Sequence, residues 1–218
     1  ESHLLMFFKC CRYSSGRISV PFFFLADWFD SCTNSVIEYC YSYDNAGPGY
    51  LICQYDGAGP FQNNTVRYSI SENDGRENYS PGICLYSSGS AGGVVDTFVY
   101  GNTIYTTGSG TSGPSFGVIK GGTLKNLDVH NNIFITTNAA TIFETDMDVP
   151  GLNVTGNTYY SNGAAWVLRY NGKTYQSLSS WQAATGQELL RDESVGSDAD
   201  PLLVAAGNGQ KVTTAQDL

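Results

Sequence analysis

The sequence predicts an all-β fold, a right-handed parallel β-helix of about five to six coils with a short C-terminal helical cap. The first observation is a short motif of apolar and polar residues that recurs along the chain at nearly regular spacing. The second is the composition, because 25 glycines and only 14% charged residues suit short strands joined by tight turns. The third is that no segment before Leu178 sustains three- and four-residue apolar spacing, which excludes helical repeats.

The recurring motif is clearest at residues 129–135 and has close copies at residues 99–105 and 154–160. Its strands are rich in Val, Ile, Tyr, Phe and Thr, and each copy places one small or polar anchor at the same bend. A repeat of about 20 to 50 residues is typical of a solenoid, whose units must stack to bury their apolar faces. The anchors, with spacings of 29, 29, 33, 30 and 25 residues, are Cys11, Cys40, Ser69, Asn102, Asn132 and Asn157.

Anchors in adjacent coils should lie about 4.8 Å apart, the spacing of hydrogen-bonded strands. An asparagine at a tight bend can bond to its own turn and to the anchor one coil away, so we predict an internal asparagine ladder. The residues two positions earlier should form an outward row that includes Glu38, Arg67, Tyr100 and His130. Glu38 and Arg67 carry opposite charges on neighbouring strands, which indicates that this row stabilises the fold and has no catalytic role. We therefore interpret His130 as an ordinary surface histidine.

A second strand of each coil can be aligned at residues 22–25, 51–54, 82–85, 117–120, 141–144 and 166–169. Strand side chains alternate between faces, so an outward Lys120, Glu144 and Arg169 imply an apolar inward row. The inward row is Phe24, Cys53, Cys84, Ile119, Phe143 and Leu168, and the outward row is Leu25, Gln54, Leu85, Lys120, Glu144 and Arg169. Asp27, Asp56 and Asp146 should continue the outward face two residues further on.

The loops before this strand contain an oxygen-rich cluster. Asp44 and Asn73 each lie four residues past their anchors, so they should be neighbours in adjacent coils. Asp44, Asn45, Asn73 and Asp74 could together hold a hard cation such as Ca²⁺. The alternative is that these residues only form turns, in which Asp and Asn are common.

The repeat ends near residue 173, so we divide the chain into a β-helix at residues 1–173 and a capping segment at residues 174–218. Asn171 and Gly172 predict a hairpin turn. Residues 177–185 predict one helix that ends at Gly186 and carries Trp181 over the open core. At the other end the chain begins in mid-pattern, so we expect a signal peptide and further coils before Glu1 and low stability in residues 1–20.

The net charge of −9 and the isoelectric point near 4.5 argue against nucleic acid or an anionic membrane as a partner. No run of about 20 apolar residues is present to span a bilayer. Cys53 and Cys84 should stack in adjacent coils, where they could form a disulfide or stay as core thiols.

The motifs at residues 101–105, 131–134 and 156–160 resemble those of the right-handed parallel β-helix family of pectate-lyase-like carbohydrate-active proteins. Residues 175–187 and 200–203 are similar to the closing segment of many secreted bacterial β-helix proteins, and together the resemblance spans about residues 30 to 205. It implies a secreted, extracellular or periplasmic protein that acts on or binds a polysaccharide. Whether the chain is a polysaccharide lyase, a glycoside hydrolase, a glycan-binding module or a structural and adhesive segment stays open, because one fold hosts many functions.

If the chain is an enzyme, the outward row should hold its site. Asp27 and Asp56 could act as acid and base. Alternatively, Lys120 could abstract a proton beside a uronate carboxylate while Arg169 or Ca²⁺ neutralises the developing charge. We assign Glu144 to the same catalytic row, and the residues that we expect to bind substrate beside it are Gln54, Arg76 and Asp146.

Overall fold

The computed structural model describes residues 7–14, 27–30, 32–59, 61–88, 93–107, 112–120, 123–137, 140–163, 165–204 and 206–207, with the backbone alone at residues 7–14, 27–30, 119 and 120. The chain forms a parallel β-solenoid, as predicted, with one short helix. The number of turns differs slightly from the five to six predicted, and the fold class is as predicted.

Each turn contributes one strand to a seven-stranded sheet, which we call sheet B. Six of its strands are parallel, and β18 adds an antiparallel edge. In chain order its strands are β2 (Asp27–Asp30), β4 (Tyr50–Gln54), β8 (Ile83–Ser87), β11 (Phe116–Lys120), β14 (Phe143–Thr145), β17 (Leu168–Tyr170) and β18 (Lys173–Tyr175).

Each turn also contributes two strands to an eleven-stranded sheet, sheet A, whose two arms meet at the long strand β3. The first arm contains β3 (Val36–Tyr43), β6 (Thr65–Arg67), β9 (Val94–Tyr100), β12 (Leu124–His130) and β15 (Asn153–Thr155), with β5 (Phe61–Gln62) beside β9. The second arm contains β7 (Ile70–Glu72), β10 (Thr103–Thr107), β13 (Ile133–Thr137) and β16 (Thr158–Asn162).

A column of buried polar residues runs along the bend between the two arms. Asn102 accepts a hydrogen bond from the Ser69 backbone nitrogen at 3.0 Å, and Asn132 accepts one from the Asn102 nitrogen at the same distance. Asn157 accepts from both Asn132 nitrogens at 2.9 Å, and Glu188 accepts in turn from Asn157. We call Ser69, Asn102, Asn132, Asn157 and Glu188 the polar column.

The strand at the N-terminal end differs from the prediction. Residues 8–12 were expected to form a parallel coil anchored at Cys11. Strand β1 (Phe7–Ser14) instead runs antiparallel to β3, with Cys10 opposite Cys40. Cys40 is disulfide-bonded. The predicted instability concerns residues 1–20, of which 1–6 and 15–20 lie outside the described residues.

The interior is apolar and stacked with aromatic rings, such as Phe116 on Phe143 with centroids 4.7 Å apart. Inward residues of sheet B include Phe143 and Leu168, as predicted. For the earlier strands the predicted faces are wrong, because Ile52 and Leu85 enter the core while Cys53 and Cys84 join a separate cluster outside it. The residue opposite Cys84 in β4 is Leu51, so Cys53 and Cys84 are not stacked, and both are thiols rather than a disulfide.

The C-terminal end closes the solenoid as predicted. Asn171 and Gly172, both with positive φ, turn β17 into β18, and helix α1 (Leu178–Thr185) follows with Ser177 as its N-cap and Gly186 as its C-cap. Trp181 is fully buried, and its ring centroid lies 5.7 Å from that of Phe143. A small hairpin follows, made of β19 (Leu189–Leu190) and β20 (Glu193–Ser194).

The chain then crosses the outside of the second arm of sheet A. Ser197 bridges to Thr158 in β16, and the Ser197 carbonyl accepts a hydrogen bond from the Tyr159 nitrogen at 2.8 Å. Further along, the Gly207 carbonyl accepts a hydrogen bond from Asn73 at 3.2 Å. We call residues 197–204 and 206–207 the C-terminal strap.

Candidate functional site

Glu144 and Arg169 lie on the outer face of sheet B, on the neighbouring strands β14 and β17. Their Cα atoms are paired in register, and Arg169 Nη1 lies 3.3 Å from Glu144 Oε2. This ion pair lies on the outward face that the sequence predicts for both residues. The Glu144 side chain is largely buried while that of Arg169 is about half exposed, so the guanidinium remains accessible from solvent.

Tyr79 completes this group from a different part of the chain, the loop between β7 and β8. Its hydroxyl donates to Glu144 Oε2 at 2.5 Å and accepts a hydrogen bond from Arg169 Nη1 at 2.9 Å. Burial and the hydrogen bond to Glu144 raise the pKa of Tyr79 to about 12. The phenol therefore stays protonated at neutral pH, where it can donate a hydrogen bond but cannot act as a base. We call Tyr79, Glu144 and Arg169 the sheet B cluster.

Gly117 explains how the loop reaches over the sheet. Gly117 pairs with Cys84 on one side and with Glu144 on the other, so it occupies an outward position between them. A Cβ atom at Gly117 would lie 2.7 Å from Pro81 Cγ and 2.8 Å from Pro114 Cγ. Only a residue without a side chain lets both prolines pack against the strand. That close approach brings Tyr79 to Glu144.

Two further carboxylates follow Glu144 where β14 ends. Asp146 and Asp148 are both exposed. Asp148 accepts a hydrogen bond from the Tyr170 hydroxyl at 2.6 Å, and burial followed by that bond raises the pKa of Tyr170 to about 12. Arg169 itself contacts Glu144 and Tyr79, while Asp146 and Asp148 add two exposed carboxylates after Glu144 in the chain.

Four residues predicted for this face lie elsewhere. Asp27 pairs with Tyr50 at the start of β4, whereas Asp56 lies beyond the opposite end of that strand, so the two are not neighbours. Glu144 pairs with Gly117, so Lys120, three residues further along β11, is out of line with Glu144. Gln54 is buried and donates to the Gly59 carbonyl at 2.8 Å, so it does not line the outer face.

The loop residues predicted to bind a cation are used in a buried hydrogen-bonded network. Asp74 Oδ1 accepts from both the backbone nitrogen and the side-chain nitrogen of Asn45, at 3.0 and 2.7 Å, and Oδ2 accepts from Ser71 Oγ at 2.8 Å. Burial raises the pKa of Asp74 to about 6, although these donors oppose the shift. The carboxylate faces hydrogen-bond donors, which is the arrangement of a structural carboxylate rather than of a cation ligand.

The other members of the loop cluster do not converge on the same point. Asp44 is next to Asn73 as predicted, since its nitrogen donates to the Glu72 carbonyl at 3.0 Å. The Asn73 side chain contacts Thr107 and Gly207, and the Arg76 guanidinium donates to the Asp44 carbonyl. Within the part of the chain that the structure describes, no group of three His, Cys, Asp or Glu side chains could hold a metal ion. The calcium site stays a prediction.

The first arm of sheet A carries a second polar and aromatic surface. Arg67 donates two hydrogen bonds to Glu38 Oε2, at 2.8 and 2.6 Å, and a third to the Tyr100 hydroxyl at 2.7 Å. This confirms the predicted Glu38 and Arg67 pair. Tyr100 stacks on His130 with centroids 4.8 Å apart. His130 has a carboxylate beside it, because its Nδ1 lies 2.8 Å from Asp128 Oδ1.

Comparison with known proteins found no matching family model, no matching curated protein and no matching solved structure. Among the described residues, no helix has the length and apolar character needed to span a bilayer.

Proposed function

We propose that this β-solenoid binds an extracellular polysaccharide on the outer face of sheet B, with the sheet B cluster at the centre of the site. The observation that carries this proposal is the Glu144 carboxylate, held on an outward strand face by hydrogen bonds from both Tyr79 and Arg169. These partners restrict the side chains before a ligand arrives, which reduces the entropy lost on binding. The cluster offers phenol, carboxylate and guanidinium groups, which together can accept and donate hydrogen bonds to sugar hydroxyls.

The local charge favours a neutral glycan over an acidic one. Arg169 is paired with Glu144, and two further exposed carboxylates, Asp146 and Asp148, follow Glu144 in the chain. A uronate carboxylate would meet this excess of negative charge, and the whole chain carries a net charge of −9. A neutral polysaccharide of hexoses or pentoses avoids that repulsion, so we assign the ligand to this class.

Two other features support this proposal. The fold and the repeated motifs resemble those of pectate-lyase-like carbohydrate-active proteins, which is an argument by analogy. The disulfide at Cys40 suits a secreted or periplasmic protein, since disulfides persist in oxidising compartments.

Affinity electrophoresis through gels that contain single polysaccharides tests the proposal. We expect neutral β-glucan, xylan or mannan to retard the protein, and polygalacturonate and alginate to leave it unretarded. Glu144→Ala and Tyr79→Phe should each weaken binding, Glu144→Ala by about tenfold or more, because a buried hydrogen-bonding group is lost. The control is Glu193→Gln on the exposed hairpin. Equal retardation of the wild type and Glu144→Ala would overturn the assignment.

Hydrolysis is a second candidate function, favoured by the three carboxylates Glu144, Asp146 and Asp148 where β14 ends. Glycoside hydrolysis uses two carboxyl groups, one as acid and one as base or nucleophile. New reducing ends that disappear in Glu144→Gln would support it. An unsaturated, ultraviolet-absorbing product would instead indicate a lyase, for which Lys120 stays the predicted base.

A further inference from the structure

At one position in the bend between the arms of sheet A the backbone φ is positive, a conformation that residues with a side chain rarely adopt. This position precedes each member of the polar column from Ser69 to Asn157, and it also precedes Cys40. Its φ lies between 50° and 69° in five successive turns. Glycine and asparagine are the residues that tolerate this left-handed region best. The occupants are Tyr39, Tyr68, Gly101, Asn131 and Gly156.

Two of these turns therefore carry a tyrosine where stability alone favours asparagine or glycine. Tyr39 is 56% exposed and Tyr68 is 47% exposed, so burial of the rings does not explain the choice. Strained positions of this kind cluster at functional sites, where the strain holds a side chain in a particular direction. The recurrence in adjacent turns places the two rings side by side on the surface.

The neighbouring residues support the two rings. Tyr39 and Tyr68 are stacked with centroids 5.6 Å apart, and Tyr68 meets Tyr100 edge to face at 5.5 Å. A Cβ atom at Gly101 would lie 2.7 Å from the Tyr68 ring, so the missing side chain makes room for that ring. The Arg67 guanidinium lies 5.5 Å from the Tyr68 centroid, within the range of a cation–π contact.

We propose that Tyr39, Tyr68, Tyr100 and His130, which we call the aromatic stripe, form a second glycan-binding surface for a chain that lies along the solenoid axis. The spacing of the rings is comparable with the length of one pyranose unit, so successive sugars could contact successive rings. The stripe lies on sheet A, separate from the sheet B cluster. The ligand class rests on the proposed function.

Among the side chains that the structure describes, the charges beside the stripe are paired. Glu38 neutralises Arg67, and Asp128 lies beside His130. Nucleic acid or an anionic bilayer would require unpaired basic groups on this surface. A ligand rich in hydroxyl groups can instead use the apolar rings together with the polar groups of Glu38 and Arg67, which fits a neutral glycan.

The test uses the full chain and the double variant Tyr39→Asn with Tyr68→Asn, because asparagine already occupies the same position at residue 131. We expect its melting temperature to equal or exceed that of the wild type, since the strained backbone then carries a residue that tolerates it. Asn131→Gly is the matched control, because it changes a side chain at the same bend without removing a ring.

Titration calorimetry with cellohexaose, xylohexaose and laminarihexaose then measures binding. We expect two sites in the wild type and in Asn131→Gly, and a loss of at least tenfold in affinity at one site in the double variant. Glu144→Ala should remove the other site. If Glu144→Ala binds as the wild type does while the double variant loses its binding, the result supports the glycan site at the aromatic stripe and contradicts the proposed site on sheet B.

Three outcomes would overturn the inference. One is that the double variant binds all three hexasaccharides as tightly as the wild type. Another is that the wild type binds none of them. A third is that the double variant changes only the sedimentation behaviour, which would assign the stripe to contact between copies of this chain.

Discussion

Glu188 accepts hydrogen bonds from both nitrogen atoms of Asn157, with the backbone nitrogen 3.2 Å and the side-chain nitrogen 2.7 Å from Oε1. The same oxygen accepts from the Tyr159 hydroxyl at 2.7 Å, and Oε2 accepts from the Gly156 nitrogen. Glu188 thus takes the place that the next asparagine of the polar column would occupy, and it comes from a segment that does not belong to the repeat. Burial raises its pKa, although the four donors oppose that shift.

Glu188→Ala should lower the free energy of unfolding by about 3 kcal/mol or more, because several buried donors lose their acceptor together. Glu188→Gln should cost less, since its oxygen can keep the Asn157 contacts while its amide nitrogen meets the Gly156 donor. Urea denaturation followed by circular dichroism measures both changes. Glu193→Ala is the exposed control. An alanine variant as stable as the wild type would show that the column needs no terminal acceptor.

Asp74→Asn should change how stability depends on pH. The pKa of Asp74 is about 6 in the folded chain, above its ordinary value of 3.8. Between these two values the unfolded chain has already lost the proton that the folded chain retains, so the unfolding free energy falls as pH rises. The penalty reaches about 3 kcal/mol above pH 6, since one pKa unit equals about 1.4 kcal/mol. The variant should lack this decline.

The measurement for Asp74 is the unfolding free energy in urea at intervals from pH 4 to pH 7. Other groups titrate in the same range, so the quantity to compare is the difference between Asp74→Asn and the wild type. Asp56→Asn serves as the exposed control. Parallel pH profiles for Asp74→Asn and the wild type would contradict the assignment of a raised pKa to Asp74.

Trp181→Ala should destabilise the chain by about 3–5 kcal/mol, because it opens the end of the core above Phe143 and Tyr159. Trp181→Phe should cost much less. Among the described residues the buried Trp181 indole nitrogen has no hydrogen-bond partner. Phenylalanine removes this unsatisfied donor and still covers the end of the apolar core with an aromatic ring. Thermal unfolding compares the two variants. Equal losses for both would mean that the indole makes a specific contact beyond covering the core.

Gly117→Ala should weaken the sheet B cluster from a distance. The new methyl group must displace Pro81 or Pro114, which we expect to cost about 1–3 kcal/mol and to move the loop that carries Tyr79. A double-mutant cycle with Tyr79→Phe detects this coupling. Tyr79→Phe should cost less stability in the Gly117→Ala background than in the wild type. Additive losses would show that Gly117 does not position Tyr79.

The bend of the solenoid could be predicted from the sequence because its residues are constrained from one turn to the next. The side chain of each anchor accepts a hydrogen bond from the backbone nitrogen of the anchor one turn earlier. Suitable residues therefore recur at a regular spacing that can be seen in the sequence. Hydrogen bonds join these positions from Cys40 through Ser69 to Asn157, beginning with the Cys40 nitrogen, which donates to Ser69 Oγ at 3.2 Å. The capping helix was predictable for a similar reason, since Ser177 and Gly186 are end signals.

The faces of sheet B could not be predicted from polarity in its first strands. All five residues of β4 are buried, so the alternation that reveals the inner face is lost. Leu51 and Cys53 are as apolar as Ile52, and only the register distinguishes them. In β17 the alternation is visible, because Leu168 is buried and Arg169 is exposed, and there Arg169 and its partner Glu144 were placed correctly.

The sequence indicated Glu144 and Arg169 of the sheet B cluster but not Tyr79. Tyr79 lies in a loop without periodic spacing and reaches Glu144 across 65 residues of chain. Its position depends on the contact of Pro81 with Gly117, which no local pattern encodes. Lys120 was misplaced because the register pairs Glu144 with Gly117 instead, and the register between two strands is not visible in either strand alone.

The C-terminal strap changes how this solenoid should come apart. In a stack of repeats each turn touches only its neighbours, so unfolding can begin at an end and spread turn by turn. The hydrogen bond between Asn73 and Gly207 joins residues 134 positions apart and spans several turns at once. Loss of an end turn then also requires release of the strap, which couples the ends to the middle. The turns that the strap connects should therefore unfold together, as one cooperative unit, rather than one by one from an end.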